Sequence, residues 1–295
     1  MRWRGVLPAI TTPFGEDLAV DHGFMVAHVR WLVDHGCAGI VPLGSLGEAA
    51  TLSGSEKRKV LETCVGAVGD RVPVTPGISA LSTREAVELA RDARSIGCRG
   101  LMVLPPYLYK GDWREVKAHV SAVIAATDLP CMLYNNPVAY GTDFTPEQVA
   151  ELAAECPNLE AVKESSTDVR RVTAIRALLG DRLAVLVGVD DLVVEGVQAG
   201  AVGWIAGLVN AFPAESLALF SRAAEGRKKE TLELYHWFLP LLRMDTVPKF
   251  VQLIKLVQQE TGMGSERVRP PRLPLEGAER DEALALIRER LAANR

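Results

Sequence analysis

The chain has 295 residues, with 33 Lys and Arg against 37 Asp and Glu, a net charge of -4, 48% apolar residues, 25 Gly and 17 Pro. These values belong to an ordinary folded protein and exclude the low-complexity, collagen-like and disordered classes. The mildly acidic balance supplies no basic footprint for nucleic acid or an anionic membrane, so neither is an expected partner and a small molecule is.

Cys37, Cys64, Cys98, Cys131 and Cys156 are odd in number, widely spaced and without a C-x-x-C pair, which reads as reduced packing residues, not a disulfide framework or a zinc site. The opening Met1-Arg2-Trp3-Arg4 has no apolar h-region behind it, and no stretch approaches 18 uninterrupted apolar residues. The expected location is the cytoplasm.

In chain order, short apolar runs bounded by Gly or Pro alternate with longer amphipathic segments. The runs predict strands at 6–11, 39–43, 72–77, 100–104, 130–135, 159–163, 184–188 and 203–206. Between them apolar residues fall at helical spacing, as in Phe24, Ala27, His28, Trp31, Leu32 and His35, or Ala86, Leu89, Ala90, Ala93 and Ile96. Ser82-x-x-Glu85 has the form of a capping box, and Thr145-Pro146 puts proline at a first helical position. Eight parallel strands, each followed by a helix, is the count at which a sheet closes into a barrel. A doubly wound open sheet would carry a glycine-rich first turn, and Thr11-Thr12-Pro13-Phe14-Gly15 is not one.

From Pro213 onward the alternation stops, and helices are predicted at 214–225, 229–243, 247–261 and 281–293, with Arg269-Pro270-Pro271-Arg272-Leu273-Pro274 as an extended connector. The expected fold is an α/β (β/α)8 TIM barrel over 1–225, with a C-terminal helical extension over 226–295 packed on it.

In such a barrel the chemistry sits at the C-terminal strand ends. Polar residues interrupt apolar runs there at Gly44-Ser45-Leu46-Gly47-Glu48, Pro105-Pro106-Tyr107, Tyr134-Asn135-Asn136-Pro137 and Lys163-Glu164-Ser165-Ser166. A lysine directly after Ala161-Val162 faces a half-buried cavity, where burial favours the neutral amine that attacks a carbonyl. Taken singly it also fits a side chain that snorkels to solvent at the rim. Tyr134, one strand away, fits either a proton shuttle or an aromatic filling the barrel mouth. Ser45 stands in a glycine-flanked turn suited to a carboxylate, although a plain strand-to-helix turn has the same form. Glu48 reads as structural. All five histidines (His22, His28, His35, His119 and His236) fall in predicted helices, so a metal-dependent barrel lacks its cluster of ligands.

Together with the opening Gly5-Val6-Leu7-Pro8-Ala9-Ile10-Thr11-Thr12-Pro13-Phe14, these motifs in this order resemble the class I aldolase superfamily of dihydrodipicolinate synthase and N-acetylneuraminate lyase, over essentially the whole chain. The resemblance implies that Lys163 forms an imine with the C2 carbonyl of a 2-oxo acid and that Tyr134 acts as general acid and base. Ser45 would bind the substrate carboxylate and pass protons, in place of the first threonine of the synthase Gly-Thr-Thr-Gly-Glu motif. Tyr107 would complete a proton relay in a neighbouring protomer, and the backbone carbonyl of Ile205 would face the substrate. Leu46, Gly47, Ser165, Gly188, Asp190 and Gly207 would complete the substrate site. No metal or organic cofactor is implied, and a homodimer or homotetramer is.

Three departures bear on the activity. Val138-Ala139 stands where the synthases have a short residue and then an arginine for the incoming dicarboxylate; Gly207 replaces a serine of the sialic acid lyases; and Leu46 replaces a second threonine. Gly188-x-Asp190-Asp191, Ala201-Val202-Gly203-Trp204, Asn210-Ala211-Phe212-Pro213, Trp237-Phe238-x-Pro240-Leu241-Leu242 and Arg269-Pro270-Pro271-Arg272-Leu273 are similar to the deaminases that act on 1-pyrroline-4-hydroxy-2-carboxylate. That branch implies deamination and dehydration to 2-oxoglutarate semialdehyde. A dihydrodipicolinate synthase, a pyruvate-dependent aldolase, a 2-keto-3-deoxy sugar acid dehydratase and a 2-oxo-acid-binding regulatory relative without turnover remain open, as does the role of Asp190 and Asp191, which also fit carboxylates complementing a helix N-terminus.

Overall fold

In a computed structural model of the chain, which describes residues 3–293, seven strands form one parallel sheet. They are β1 (Gly5–Pro8), β2 (Gly77–Ile78), β3 (Leu101–Val103), β4 (Cys131–Asn135), β5 (Leu159–Glu164), β6 (Ala184–Val187) and β7 (Gly203–Ala206), in the spatial order β1-β7-β6-β5-β4-β3-β2. The apolar run at 39–43 lies where the eighth strand belongs but makes no ladder. It closes the ring through single parallel bridges, Ala9 to Val41 on one side and Ile40 to Val74 on the other. The reason is local: Pro8, Pro42, Pro73 and Pro76 have no N–H to donate, so regular pairing cannot run across this seam. Bonds that need no proline donor persist, from Val41 N to Pro8 O (2.8 Å), Ile40 N to Pro73 O (2.9 Å) and Gly77 N to Pro42 O (2.9 Å). The architecture is a TIM barrel with a C-terminal helical part.

The helices are α1 (His22–Asp34), α2 (Gly54–Val68), α3 (Thr83–Ile96), α4 (Trp113–Ile124), α5 (Pro137–Tyr140), α6 (Pro146–Glu155), α7 (Arg170–Leu179), α8 (Val193–Gln198), α9 (Pro213–Ala224), α10 (Lys228–Leu242), α11 (Phe250–Glu260) and α12 (Gly277–Ala293). Their starts follow cap chemistry. Capping boxes open α2 (Ser53 with Glu56), α4 (Asp112 with Glu115) and α6 (Thr145 with Gln148, Pro146 following). At α3 the Ser82 hydroxyl accepts from the Glu85 amide at 3.2 Å, the first half of the predicted box. His35 is the C-cap of α1, one residue past its end, and the other four histidines are helical.

One hydrophobic core runs from Trp3 to Ile287 and includes residues of α10, α11 and α12. Phe238 is wholly buried, stacked on Trp237 and edge-on to Phe212. The Gln258 side chain on α11 accepts the Thr11 hydroxyl proton at 2.8 Å, and Lys255 reaches Glu48 at 2.5 Å, so the extension is tied to the barrel mouth. All five cysteines are free and buried, as packing residues should be. Among the described residues no helix is long and apolar enough to cross a membrane.

Candidate active site

Burial decides which strand-end residues face one another. β4 and β5 pair with Tyr134 opposite Lys163, and the Lys163 ammonium lies 4.0 Å from the centre of the Tyr134 ring. Both side chains are buried, Lys163 at 6% exposure and Tyr134 at 4%. Gly188, at the end of β6, makes this possible: a Cβ there would stand 2.6 Å from Lys163 Cε and 2.0 Å from Ser165 Oγ. The missing side chain is the space the lysine stem occupies. Glu164 turns the other way, accepting from Asn135 Nδ2 at 3.0 Å, so only the lysine of the pair enters the cavity.

The phenol is held by its own turn. Asn136 Oδ1 accepts from the Ala139 amide and so caps α5, while Asn136 Nδ2 donates to the Tyr134 hydroxyl at 3.0 Å. This short helix delivers Tyr140, whose hydroxyl hydrogen-bonds Ser45 Oγ and whose ring is 5.8 Å from Tyr134 and edge-on to it. Burial, and then the neighbouring Tyr134, push the Tyr140 hydroxyl well above the usual phenol range, so it stays protonated. Ser45 lies between two left-handed non-glycine residues, Leu43 (φ 61°) and Glu48 (φ 53°). Such backbone costs about 1–3 kcal/mol per residue and persists only where the surroundings impose it. Here the buried Glu48 carboxylate is the anchor, bonded to Lys255 Nζ at 2.5 Å and to the Arg269 amide at 3.0 Å. Its structural reading from the sequence agrees with this geometry.

These groups surround a cavity of about 340 Å³. Of the predicted site residues, Lys163, Tyr134, Ser45, Leu46, Ser165, Gly188, Ile205 and Gly207 line it. Three do not. Gly47 is packed into the turn beneath, its carbonyl accepting from the Thr12 hydroxyl at 2.6 Å, and a Cβ there would stand 3.0 Å from the Ile10 carbonyl oxygen. Asp190 is fully buried and accepts from Trp204 Nε1 (2.9 Å), Gly207 N (3.1 Å) and Leu208 N (2.8 Å), so it shapes the turn after β7 in place of contacting a ligand from the wall. Burial pushes its carboxyl up to about 6 against the pull of those donors. Tyr107 stands 6.2 Å from the Tyr140 ring of its own chain, and the exposed residue beside it is Leu108, at φ 72°.

The sequence reading missed Tyr140 and Asp245. Tyr140 sits three residues after Pro137, where a short helix was signalled only by Asn136-Pro137. Asp245 belongs to the segment between α10 and α11 that roofs the cavity together with Thr246, Val247, Pro248 and Phe250, and nothing local marks it. Among the described residues lining the cavity, Lys163 is the one cation and Asp245 the one carboxylate. No group of three or more His, Cys, Asp or Glu among the described residues is placed to hold a metal ion.

A buried amine, a phenol beside it and a serine-tyrosine hydroxyl pair can bind a small carbonyl compound and move protons around it. The Dihydrodipicolinate synthetase family matches residues 2–290. The 4-hydroxy-tetrahydrodipicolinate synthase of Methanopyrus kandleri is 34% identical over 286 residues, covering 97% of this chain and 94% of that protein. The crystal structure of the chloride-inhibited dihydrodipicolinate synthase from Acinetobacter baumannii, complexed with pyruvate, has a TM-score of 0.91 at 29% identity and covers 98% of this chain and 99% of its own. That of the 4-hydroxy-tetrahydrodipicolinate synthase from Methylacidiphilum fumariolicum SolV has a TM-score of 0.93 at 28% identity, covering 99% of this chain and 98% of its own.

Proposed function

This chain belongs to the dihydrodipicolinate synthetase family, enzymes of the class I aldolase type, and from that premise we propose that Lys163 forms an imine with the C2 carbonyl of a 2-oxo acid of the pyruvate class. The observation that carries the reading is the buried Lys163 ammonium 4.0 Å from the Tyr134 ring at the floor of the cavity. The imine draws electrons from C3, so a proton leaves C3 and an enamine forms. Tyr134, oriented by Asn136, is the proton carrier, and Ser45 with Tyr140 binds the carboxylate and passes protons onward. Within one chain Tyr140 is the group that continues the relay from Ser45, and Tyr107 keeps its proposed place in a neighbouring protomer. The test is borohydride trapping with pyruvate followed by peptide mapping. A mass increment on Lys163 supports the reading, and an adduct elsewhere or none at all overturns it.

The names of the relatives favour condensation of the enamine with an aldehyde, a synthase activity. A second reading, elimination from 1-pyrroline-4-hydroxy-2-carboxylate or a related 4-hydroxy-2-oxo acid, is favoured by the lining of the cavity. Leu46, Val138 and Ala139 face it, and among the described lining residues no second cation stands ready for a dicarboxylate. Side-by-side assays with pyruvate plus aspartate semialdehyde and with the hydroxylated pyrroline separate the two.

Two outcomes test the hydroxyl cluster. Tyr134→Phe lowers kcat by about 10²–10⁴-fold, the usual contribution of a positioned acid or base, in steady-state assays of whichever substrate is turned over. Ser45→Ala and Tyr140→Phe each lower kcat by roughly 10–100-fold, and the double variant loses little more than the worse single one, because the two groups act as one unit.

A further inference from the structure

Asp245 has no part in the chemistry argued so far, although it lines the cavity. It ends the 3-10 turn Arg243–Asp245, and its Oδ1 is closed off from solvent with no hydrogen-bond partner. A buried polar atom left unsatisfied costs about 1–3 kcal/mol, a cost that a ligand hydroxyl would remove. Its room comes from Gly207 at the end of β7, where a Cβ would stand 2.2 Å from Asp245 Oδ1 and 2.5 Å from Cγ. The charged groups around it are Lys163 from β5 and Asp190 and Asp191 from the turn after β6; Arg243 pairs with Asp191 at 3.6 Å. Burial, and then the Asp190 carboxylate, raise the Asp245 carboxyl well above its ordinary range, which favours the neutral form able to donate.

We propose that Asp245 is a further catalytic and specificity-determining residue, which hydrogen-bonds a hydroxyl on C4 of the imine-bound 2-oxo acid and protonates that oxygen as it leaves. The proposal rests on the imine reading of Lys163. With Lys163 joined to C2, the C3–H bond breaks, its proton passes to the hydroxyl cluster and its electron pair forms the enamine. The nitrogen lone pair then restores the iminium, the C2–C3 double bond shifts to C3–C4, and the C4–O bond breaks with its pair on oxygen. The Asp245 proton converts the departing hydroxide to water, leaving a carboxylate that recovers its proton from the C3 proton held nearby. No oxidant or reductant enters.

The experiment compares the wild-type enzyme with Asp245→Asn and Gly207→Ala. The first keeps the shape but loses the acidic proton, and the second keeps the acid but pushes its carboxyl out of position, since a Cβ at Gly207 would stand 2.2 Å from Asp245 Oδ1. Borohydride trapping with pyruvate reports imine formation, a step Asp245 does not enter. Water elimination is followed by NMR with 1-pyrroline-4-hydroxy-2-carboxylate and 2-keto-3-deoxygluconate as probes. The expected result is a pyruvate adduct on Lys163 in all three proteins, elimination by the wild type from at least one probe, and kcat about 10²-fold lower or worse in both variants with KM little changed. Elimination that persists within a few-fold in Asp245→Asn, or is absent from the wild type with both probes, overturns the proposal while the adduct leaves the imine reading standing. Loss of the pyruvate adduct in the wild type removes the imine reading, and the role of Asp245 with it.

Discussion

Lys163→Ala is expected to leave the barrel folded and to reduce turnover by roughly 10⁴–10⁶-fold, the scale seen when a covalent nucleophile is removed. The fold should survive because, among the described residues, no hydrogen bond or ion pair ties the Lys163 side chain to the barrel; its ammonium lies 4.0 Å from the centre of the Tyr134 ring. Truncation leaves a small space open to the cavity, not a sealed void in the core. Lys163→Arg should be as inactive, since a guanidinium does not become a neutral nucleophile. The measurement is steady-state turnover beside borohydride trapping and circular dichroism. Retained activity, or loss of the native spectrum together with activity, would count against the role assigned to the amine.

The largest expected loss of stability comes from Lys255→Met. Lys255 and Glu48 have side chains only 2% and 0% exposed and meet at 2.5 Å, and Lys255 also donates to the Arg267 carbonyl at 2.7 Å. Burial, partly offset by Glu48, lowers the Lys255 ammonium to about 8. Removing one partner of a buried pair strands the other charge and typically costs 3–5 kcal/mol. Arg272, at 3.8 Å from Glu48, and the Arg269 amide remain, so the expected figure is about 3 kcal/mol, the low end of that range. Urea unfolding should show a lower midpoint at unchanged slope. Activity should fall as well, because Glu48 holds the left-handed turn that presents Ser45. A Glu48→Gln/Lys255→Met double variant should lose less than the sum of its single losses. Additive losses would show that the two side chains do not stabilise each other.

How much of the site was legible depends on where the information lies. Lys163 and Tyr134 stand out in the chain because each is a polar group breaking an apolar strand at its C-terminal end, and the barrel places all such ends on one face. Ser45 was legible from its glycine-flanked turn. Asp190 was not, since an acid after a strand fits a ligand contact and a buried turn anchor equally well, and the amides of Gly207 and Leu208 that claim it come from the turn after the next strand. Tyr140 shares the Tyr134 turn, yet nothing local shows that α5 swings its hydroxyl onto Ser45.

The sequence by itself determined the barrel, the capped starts at Ser82 and Thr145, the burial of the cysteines and the strand-end placement of Lys163 and Tyr134, because each depends on residue type at short spacing, where periodicity, caps and strand ends act; the helices expected from 247 and 281 instead begin at Phe250 and Gly277. Only the tertiary structure decided three other things. Prolines on both sides of the seam replace the eighth strand's ladder with single bridges. Tyr107 packs against its own chain's Tyr140. The roof between α10 and α11 carries Asp245 over Gly207, beside the cavity that Lys163 enters from β5. Each of these comes from segments far apart in the chain, brought together by closure of one hydrophobic core, and the chain order of residues does not encode such a meeting.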